Sequence, residues 1–430
     1  MSDGALPRDV VSSSHHTVEE VREVLSGRRH GLRALAPFAG PAVVVSVAYV
    51  DPGNFATNVQ AGARYGYGLL WVVVLASLTA MLFQGLSAKL GLVTGKNLAE
   101  ISRLNLPRRL VLAMWGVSEV AAMATDLAEF LGGAIGFSLL LHVPIFVGMS
   151  ITAAITFALL LLQNRGFRPL ELAIGALVGV IGLAYFAQLF LTPVNWPQVL
   201  VHSLKPEIAD SGALTLAVGI VGATVMPHAL FLHSGLAGSR VEPRSEDERT
   251  GLLRYARYEV VIALTVAALV NLAMVIMAAG AFHIGHRDVA QIDTAYRTLT
   301  PLFGGAAAAL FLLSLIASGV SSSVVGTMAG QMIMQGFLNL KIPLWLRRVV
   351  TMVPSFIVVA MGINATRALV LSQVVLSIAV PVPMFALLWF TCSRRVMGER
   401  VNGKSMGALA GVTAVAVLAL NAILLVQILS

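Results

Sequence analysis

Charged residues are scarce in this chain, and their scarcity excludes an ordinary soluble protein. Only 12% of the 430 residues are Asp, Glu, Lys or Arg, whereas soluble domains carry about 25%. Hydrophobic residues make up 57% and the mean hydropathy is +0.84. Apolar runs of about 20 residues recur, which is long enough to cross a bilayer. The sequence therefore predicts an all-α polytopic membrane protein.

Cysteine is also nearly absent, which limits the chemistry that the chain can perform. Cys392 is the only one, so no intrachain disulfide can form and redox chemistry is not expected. The net charge of +8 does not indicate a nucleic acid partner, because the basic residues lie in short loops between apolar runs. Residues 1–38 lack the charged-then-apolar pattern of a signal peptide and are predicted to form a cytoplasmic tail.

Eleven apolar segments are predicted to span the membrane. They lie near residues 39–63, 69–93, 108–137, 144–162, 170–191, 213–235, 257–280, 303–334, 344–361, 368–391 and 407–428. Most of the 29 Lys and Arg residues fall on the side of the membrane that holds the N-terminus. The positive-inside rule then places the N-terminus in the cytoplasm, and the odd number of spans places the C-terminus outside. The predicted location is the cell membrane, plasma or inner.

The first and sixth spans are interrupted by polar and helix-breaking residues. Asp51-Pro52-Gly53-Asn54 breaks the first span, and Met226-Pro227-His228 breaks the sixth. Proline removes a helix hydrogen bond and glycine lets the chain open. Hydrocarbon tolerates freed backbone groups only where they line a cavity or bind something. Two such breaks in corresponding spans indicate the substrate site of a secondary transporter.

The spacing of the two breaks predicts the architecture. Five spans separate their starts, so residues 39–191 and 213–391 form two equivalent halves, and residues 407–428 form an extra span. Because five is odd, the two halves are inverted relative to each other in the membrane. This 5+5 arrangement plus one span is that of the LeuT-like transporters. It rests on break position and topology, since no sequence identity between the halves is visible.

The polar groups at the breaks are ones that bind metal ions. Asp51 has no charged neighbour within ten residues, and an acid inside a span predicts function. The alternative is a proline kink with Asp51 as the cap of the next half-helix. Asn54 adds an oxygen, Pro227 frees carbonyls one turn earlier near Ala223, and Met226 adds a sulfur. A thioether beside oxygens favours Mn(II) or Fe(II) over Mg(II) and Ca(II).

Three acids follow one stripe of the third span. Asp126 and Glu129 are three residues apart and share a helix face, and Glu119 lies two turns earlier on that face. Arg347 and Arg348 open the ninth span on the cytoplasmic side and are natural partners. The pattern predicts a proton path from the broken spans toward the cytoplasm. The alternative is a buried network of salt bridges that holds the helices together.

Several other polar residues inside spans have two interpretations each. His228 either handles protons or forms a hydrogen bond between helices, whereas His233 is expected to be structural. Asn271 and Gln373 lie in the middle of spans and either complete a coordination shell or bond between helices. Ser321-Ser322-Ser323 is expected to allow close helix packing.

The residues described above resemble the Nramp family of proton-coupled divalent metal transporters. The matching stretches are the two breaks, Leu232-His233-Ser234, and Glu119–Gly133 with its Thr125-Asp126-Leu127-Ala128-Glu129-Phe130 core. The resemblance extends over all eleven spans. It implies a LeuT-like fold that imports Mn(II) or Fe(II) with protons, the metal being substrate rather than cofactor. One departure is Ala229, where many members have Asn; it removes no ligand but leaves local hydration and gating open.

The resemblance also implies roles for individual residues. Asp51, Asn54, Met226 and the carbonyl of Ala223 resemble the metal ligands, with further ligands in some states from the Ala48 carbonyl and the Gln373 side chain. Asp51 resembles the first proton acceptor. The exit route for protons is implied to run through Asp126, Glu129, Glu119, Arg347 and Arg348. His228 resembles a gating or proton-linked residue.

Two rival functions follow from the same residues. A sodium- or proton-coupled symporter of small organic solutes on this fold would use Asp51 to bind an amine or Na(I), with Met226 as packing. An intramembrane metalloenzyme would need three fixed protein ligands and an open water position. Only one His and one Asp converge on the breaks, so no enzyme is predicted. Metal-dependent uptake separates the metal transporter from the solute symporter.

Overall fold

The computed structural model describes residues 15–26, 28, 36–38, 40–162, 167–284, 291–340 and 342–429. Most of the predicted tail, residues 1–38, therefore lies outside the described residues. Within the described ranges every regular element is helical. The α-helices are α1 (His15–Leu25), α2 (Pro41–Ser46), α3 (Pro52–Tyr65), α4 (Leu70–Thr94), α5 (Leu98–Asn105), α6 (Arg108–Leu141), α7 (Ile145–Leu161), α8 (Phe167–Leu191), α9 (Trp196–Leu204), α10 (Ser211–Thr224), α11 (Pro227–Arg240), α12 (Glu246–Phe282), α13 (Ile292–Leu338), α14 (Leu344–Ala360), α15 (Ala365–Ala379), α16 (Pro381–Thr391), α17 (Arg394–Met397) and α18 (Lys404–Leu429).

Helical segments occupy the positions of all eleven predicted spans. Eight of them are long and apolar enough to cross a membrane, and Pro41–Val50 and Ile145–Leu161 are shorter apolar helices. The prediction of a multi-span helical protein is therefore confirmed, whereas eleven as the number of crossings stays a prediction. The eighth span differs from its predicted form, because α13 begins at Ile292 and contains non-helical backbone at Gly304 (φ 83°, ψ 168°).

The first and sixth spans are both interrupted at the predicted residues. In the first, a short 3-10 turn, Val47–Val50, follows α2, and Asp51 is extended before α3 begins at Pro52. In the sixth, α10 ends at Thr224 and Met226 is extended before α11 begins at Pro227. Proline is favoured at the first helical position, where no intrahelical donor is needed. Each break therefore divides its span into two half-helices.

The tenth span has a milder irregularity that the sequence reasoning did not single out. Helix α15 ends at Ala379, and α16 begins at Pro381. Val380 between them keeps helical backbone angles (φ −50°, ψ −43°), whereas Asp51 is extended (φ −74°, ψ 169°). The backbone therefore stays helical at Val380, and the proline does not open the tenth span.

Small residues let the helices around the broken spans approach closely. A side chain at Gly319 of α13 would meet the backbone of Gly133 in α6, and one at Gly62 of α3 would meet the carbonyl of Val275 in α12. Such contacts are typical of membrane helices, where close packing replaces the hydrophobic effect. The helices that flank the breaks are thus held near enough for short polar side chains to bridge them.

Buried charges hold the start of α2. One oxygen of Glu259 in α12 accepts hydrogen bonds from the backbone amides of Gly40 (2.8 Å) and Ala42 (2.9 Å), which satisfies donors that a helix start leaves free. Arg240 at the end of α11 donates to the carbonyl of Pro37 (2.5 Å) and lies 3.7 Å from a carboxylate oxygen of Glu171 in α8. The sequence reasoning did not identify this cluster.

Candidate metal-transport site

Asp51 caps the helix that follows the first break, and it does so with one oxygen only. Its Oδ1 accepts hydrogen bonds from the backbone amide of Asn54 (2.8 Å) and from the Asn54 carboxamide (2.8 Å). Its Oδ2 has no hydrogen-bond partner, although the residue is fully buried. A buried carboxylate oxygen without a partner is costly. The cap predicted as an alternative is therefore present, and a second oxygen remains to bind a ligand.

The second break lies against the first through the Asn54 side chain. The Asn54 carboxamide donates to the carbonyl of Ala223 at 3.0 Å. In an unbroken helix this carbonyl would accept from the residue four positions on, which is Pro227 and has no N–H. Thr224 adds a weaker bond, its hydroxyl donating to the Asn54 side-chain oxygen at 3.4 Å. The structure thus brings together Asp51, Asn54 and the Ala223 carbonyl.

The remaining predicted ligands lie in or beside the two breaks. Met226 is fully buried at the start of α11, two residues beyond Thr224. Gln373 of α15 lies against the first turn of α3, because a Cβ on Gly53 would overlap its carboxamide. The oxygen of that carboxamide has no hydrogen-bond partner. Ala48 lies in the buried 3-10 turn that leads to Asp51.

The donor set at the breaks is mixed rather than histidine- or cysteine-based. No group of three or more His, Cys, Asp or Glu residues able to hold a metal occurs in the part of the chain that the structure describes. The candidate ligands instead provide one carboxylate, two carboxamides, a thioether and carbonyl oxygens. Oxygen donors combined with one thioether suit Mn(II) and Fe(II) better than Mg(II) or Ca(II).

Two further carbonyls freed by the first break are bound by neighbouring helices. Asn271 of α12 donates to the carbonyl of Tyr49 at 2.6 Å, and it accepts from Asn58 at 2.8 Å. Ser318 of α13 donates to the carbonyl of Val50 at 2.6 Å. Asn271 therefore forms hydrogen bonds between helices, which was one of its two predicted interpretations.

The three acids of α6 differ in their partners. Glu119 lies 3.0 Å from a guanidinium nitrogen of Arg347, and Asp126 lies 3.4 Å from one of Arg348. Arg348 also donates to the hydroxyl of Ser323. Both arginines thus pair with acids of α6, as expected, and the structure shows which acid each one contacts. Of the three serines expected only to pack, Ser323 has this additional role.

Glu129 is the acid nearest the break, and both of its oxygens lack a hydrogen-bond partner. It is fully buried, and a Cβ on Gly326 in α13 would meet both Glu129 and Asp126, so the two acids face the same helix. A Cβ on Gly132, three residues after Glu129 in α6, would overlap the ring of Pro52, so this part of α6 packs against the first break. The acids of α6 therefore extend from the break to the arginine pair of α14.

The two histidines of α11 connect different helices. One ring nitrogen of His228 lies 3.2 Å from the hydroxyl of Thr125 in α6, and the other has no partner. His233 lies 2.7 Å from the carboxamide oxygen of Gln84, which in turn donates to the hydroxyl of Tyr49 at 2.5 Å. His233 thus links α11 through α4 to the 3-10 turn before Asp51, in keeping with its predicted structural role.

Comparison with known proteins places this arrangement in a family. The sequence profile of one family, described as "Nramp: Natural resistance-associated macrophage protein-like", matches residues 42–427. The chain belongs to the Nramp family. A protein named divalent metal cation transporter MntH from Verminephrobacter eiseniae is 66% identical, covering 96% of this chain and 94% of its own length. One of the same name from Acidiphilium cryptum is 62% identical, covering 96% of each chain.

Solved structures agree with the fold. The manganese transporter of Eremococcus coleocola superposes with a TM-score of 0.83 at 34% identity, covering 92% of this chain and 88% of its own. Mhp1, a nucleobase-cation-symport-1 family transporter, superposes with a TM-score of 0.61 at 14% identity, covering 90% and 91%. The second similarity concerns the fold alone. The predicted LeuT-like fold is confirmed, and this Nramp protein is a transporter by family rather than an enzyme.

Several polar residues beside the candidate site were assigned no role from the sequence. Gln84, Thr125 and Thr224 each bond to a predicted site residue or to its neighbour. A signal for Gln84 existed, because a glutamine in the middle of an apolar span predicts a partner. Thr125 and Thr224 gave a weaker signal, since a threonine hydroxyl is often satisfied within its own helix.

Proposed function

We propose that this Nramp protein imports divalent transition metal ions, Mn(II) or Fe(II), together with protons, by alternating access at the two breaks. The observation that carries the proposal is the convergence of Asp51, Asn54 and the Ala223 carbonyl where two half-helices from different spans meet. The names of its relatives support a divalent metal as the substrate. The metal is cargo, so no resident cofactor is required.

The ligands have to rearrange slightly to hold the ion. The Asn54 carboxamide donates both of its N–H groups to oxygens of Asp51 and Ala223. A cation replaces such donors, because it attracts the same oxygens. We therefore infer that Asn54 turns its amide to present the oxygen, with the free Oδ2 of Asp51 and the sulfur of Met226 as neighbours. Gln373 and the Ala48 carbonyl complete the shell in some states of the cycle.

Protons leave by the acids of α6 in this proposal. Metal binding favours the ionised form of Asp51, so its proton is released. Glu129 is the nearest acceptor with unpartnered oxygens, and Asp126, Glu119, Arg347 and Arg348 continue toward the cytoplasm. His228 takes part through its contact with Thr125, beside Asp126. The acid–arginine pairs between α6 and α14 can also hold these helices together. That role is compatible with the path, since a proton relay needs fixed geometry.

The direction of transport follows from the proposed orientation. We place residues 1–38 in the cytoplasm and the C-terminus outside in the cell membrane, with residues 39–191 and 213–391 as inverted halves and 407–428 as the extra span. The inside-negative potential then draws a cation inward, at about 2.3 kcal/mol per charge per 100 mV. Spans 1 and 6 alternately open the site to either side.

The experiment that tests the proposal is Mn(II) uptake into proteoliposomes that contain a pH dye, with Ca(II) and Mg(II) as competitors. We expect Mn(II) entry with internal acidification and little competition. Asp51→Ala should abolish uptake. Met226→Ala should keep some Mn(II) transport but admit more Ca(II), whereas Met149→Ala, which removes a buried thioether in α7, should leave selectivity unchanged.

Three outcomes would contradict the proposal or part of it. Persistent uptake by Asp51→Ala would place the site elsewhere, and unchanged selectivity in Met226→Ala would remove the thioether from the argument. Failure of the wild-type protein to take up Mn(II) under an inside-negative potential would favour a symporter of small organic solutes on the same fold.

A further inference from the structure

Helices α3 and α10 form a pair of matched half-helices. Each has 14 residues, or about 20 Å of length. Each begins with an aspartate cap: Asp51 accepts from the amide of Asn54, and Asp210 accepts from the amide of Ala213 at 2.8 Å. The start of α3 lies against the end of α10, through Asn54 and Ala223. The two helices are therefore antiparallel.

The opposite ends of the pair are joined by a second polar contact. The hydroxyl of Tyr65, the last residue of α3, donates to Oδ1 of Asp210 at 2.7 Å. This oxygen also accepts from Ala213 at the start of α10. The bond is charge-assisted, and such bonds are short and comparatively strong. The Tyr65 hydroxyl holds the pKa of Asp210 below its usual range, so the carboxylate stays ionised.

Between these ends the two helices meet through small residues. A Cβ on Gly219 of α10 would lie 3.2 Å from the methyl group of Thr57 in α3. Close packing of this kind brings backbones together but does little to fix how far one helix slides along the other. Polar contacts at the ends set that register, and the inner contact consists of the proposed metal ligands themselves.

We propose that Tyr65 and Asp210 are a positioning pair for the metal site. By fixing one end of α3 and α10, they set the register of the two helices. About 20 Å away, at the other end of the pair, that register places Asn54 opposite the Ala223 carbonyl. This inference rests on the proposed function for its effect on metal affinity. It goes beyond that function by assigning a role to residues far from any ligand.

The positioning pair is tested by removing one hydroxyl. Tyr65→Phe loses the bond to Asp210 and keeps the Asp210 cap of α10. Tyr67→Phe is the matched control, because the Tyr67 hydroxyl accepts from the amide of Asn195 at 3.1 Å and does not contact α10 in this way. We expect Tyr65→Phe to raise the apparent KM for Mn(II) by about two- to fivefold, as for loss of one exposed bond, with a smaller change in maximal rate.

Replacing Asp210 shows whether the pair acts through the positions of its hydrogen bonds or through the charge of the carboxylate. Asp210→Asn can still cap α10 and accept from the tyrosine, since asparagine is an equally good cap, but it loses the charge assistance and should fall between wild type and Tyr65→Phe. Asp210→Ala loses both contacts and should exceed the effect of Tyr65→Phe. A lower maximal rate with unchanged KM in Tyr65→Phe, or equal KM values for Tyr65→Phe and Tyr67→Phe, would overturn the assignment.

A metal-free readout keeps this inference separate from the transport proposal. Thr57→Cys and Gly219→Cys, placed in a Cys392→Ser background, put two thiols on either side of the α3–α10 contact, where a Cβ on Gly219 would lie 3.2 Å from the Thr57 methyl group. Oxidation should cross-link this parent readily, more slowly after Tyr65→Phe, and at the parent rate after Tyr67→Phe. An unchanged rate after Tyr65→Phe would refute positioning, whether or not the wild-type protein transports Mn(II).

Discussion

Adding one methyl group at Gly53 should reveal the role of Gln373 in the site. Gly53 lies in the first turn of α3, directly after Pro52, and a Cβ there would overlap the Gln373 carboxamide. Gln373 is fully buried and its amide nitrogen donates to the hydroxyl of Ser372 at 3.2 Å. The carboxamide therefore has to move away from the break when Gly53 becomes alanine.

The expected magnitude follows from the cost of overpacking. Inserting a methyl group into a tightly packed interior costs about 1–3 kcal/mol, and 1.4 kcal/mol corresponds to a tenfold change in affinity. We expect Gly53→Ala to raise the apparent KM for Mn(II) by about tenfold. The matched control is Gly179→Ala in α8, where a Cβ would meet no atom within 4 Å, and transport should be unchanged.

A double substitution identifies the source of the effect. Gln373→Ala removes the side chain that a Cβ at position 53 would strike. If the clash is with Gln373, the combination Gly53→Ala/Gln373→Ala should have the KM of Gln373→Ala alone, measured by initial Mn(II) uptake in proteoliposomes. Defects that multiply in the double variant, or a wild-type KM in Gly53→Ala, would refute the reasoning.

Two further predictions concern buried polar groups that are not among the proposed ligands. Asn421→Leu should lower the unfolding temperature in detergent by a few degrees, because Asn421 donates to the Ser377 carbonyl at 2.7 Å and an unpaired carbonyl costs about 1–3 kcal/mol. The helix itself cannot satisfy this carbonyl, since the residue four positions on is Pro381. Thr413→Val on the same helix should leave the unfolding temperature unchanged, and an equal loss in both variants would count against the bond. Glu129→Gln should retain Mn(II) uptake while reducing the acidification per metal severalfold, and an unaltered ratio in the pH-dye assay would remove Glu129 from the proton path.

The features that could be predicted from sequence are those fixed by local backbone chemistry. Pro227 removes the donor that Ala223 would bind, so counting four residues back identified the freed carbonyl. Asp51 before Pro52 predicted both a helix cap and a buried carboxylate, and the structure shows that one residue provides both. The spacing of acids along one helix likewise predicted which faces of α6 carry charge.

Features that depend on which helices become neighbours were not predictable from one sequence. Glu259 caps α2 from a helix more than 200 positions away, and Ser323 binds Arg348 although its sequence context indicated only packing. Pro381 removes the helical donor of the Ser377 carbonyl, which can be read from the sequence. Whether such a proline opens the span depends on the groups that bind the freed carbonyl. Here Asn421 satisfies it, and the helix continues.

The single-oxygen cap formed by Asp51 has a consequence for turnover. One oxygen is committed to the backbone of α3, so in the proposed site the carboxylate offers an arriving ion one free oxygen rather than two. An ion bound by one carboxylate oxygen is bound less tightly than one bound by both, and its departure leaves the start of α3 intact. In the proposed cycle, loading and unloading of the ion therefore leave the cap of α3 in place while spans 1 and 6 move.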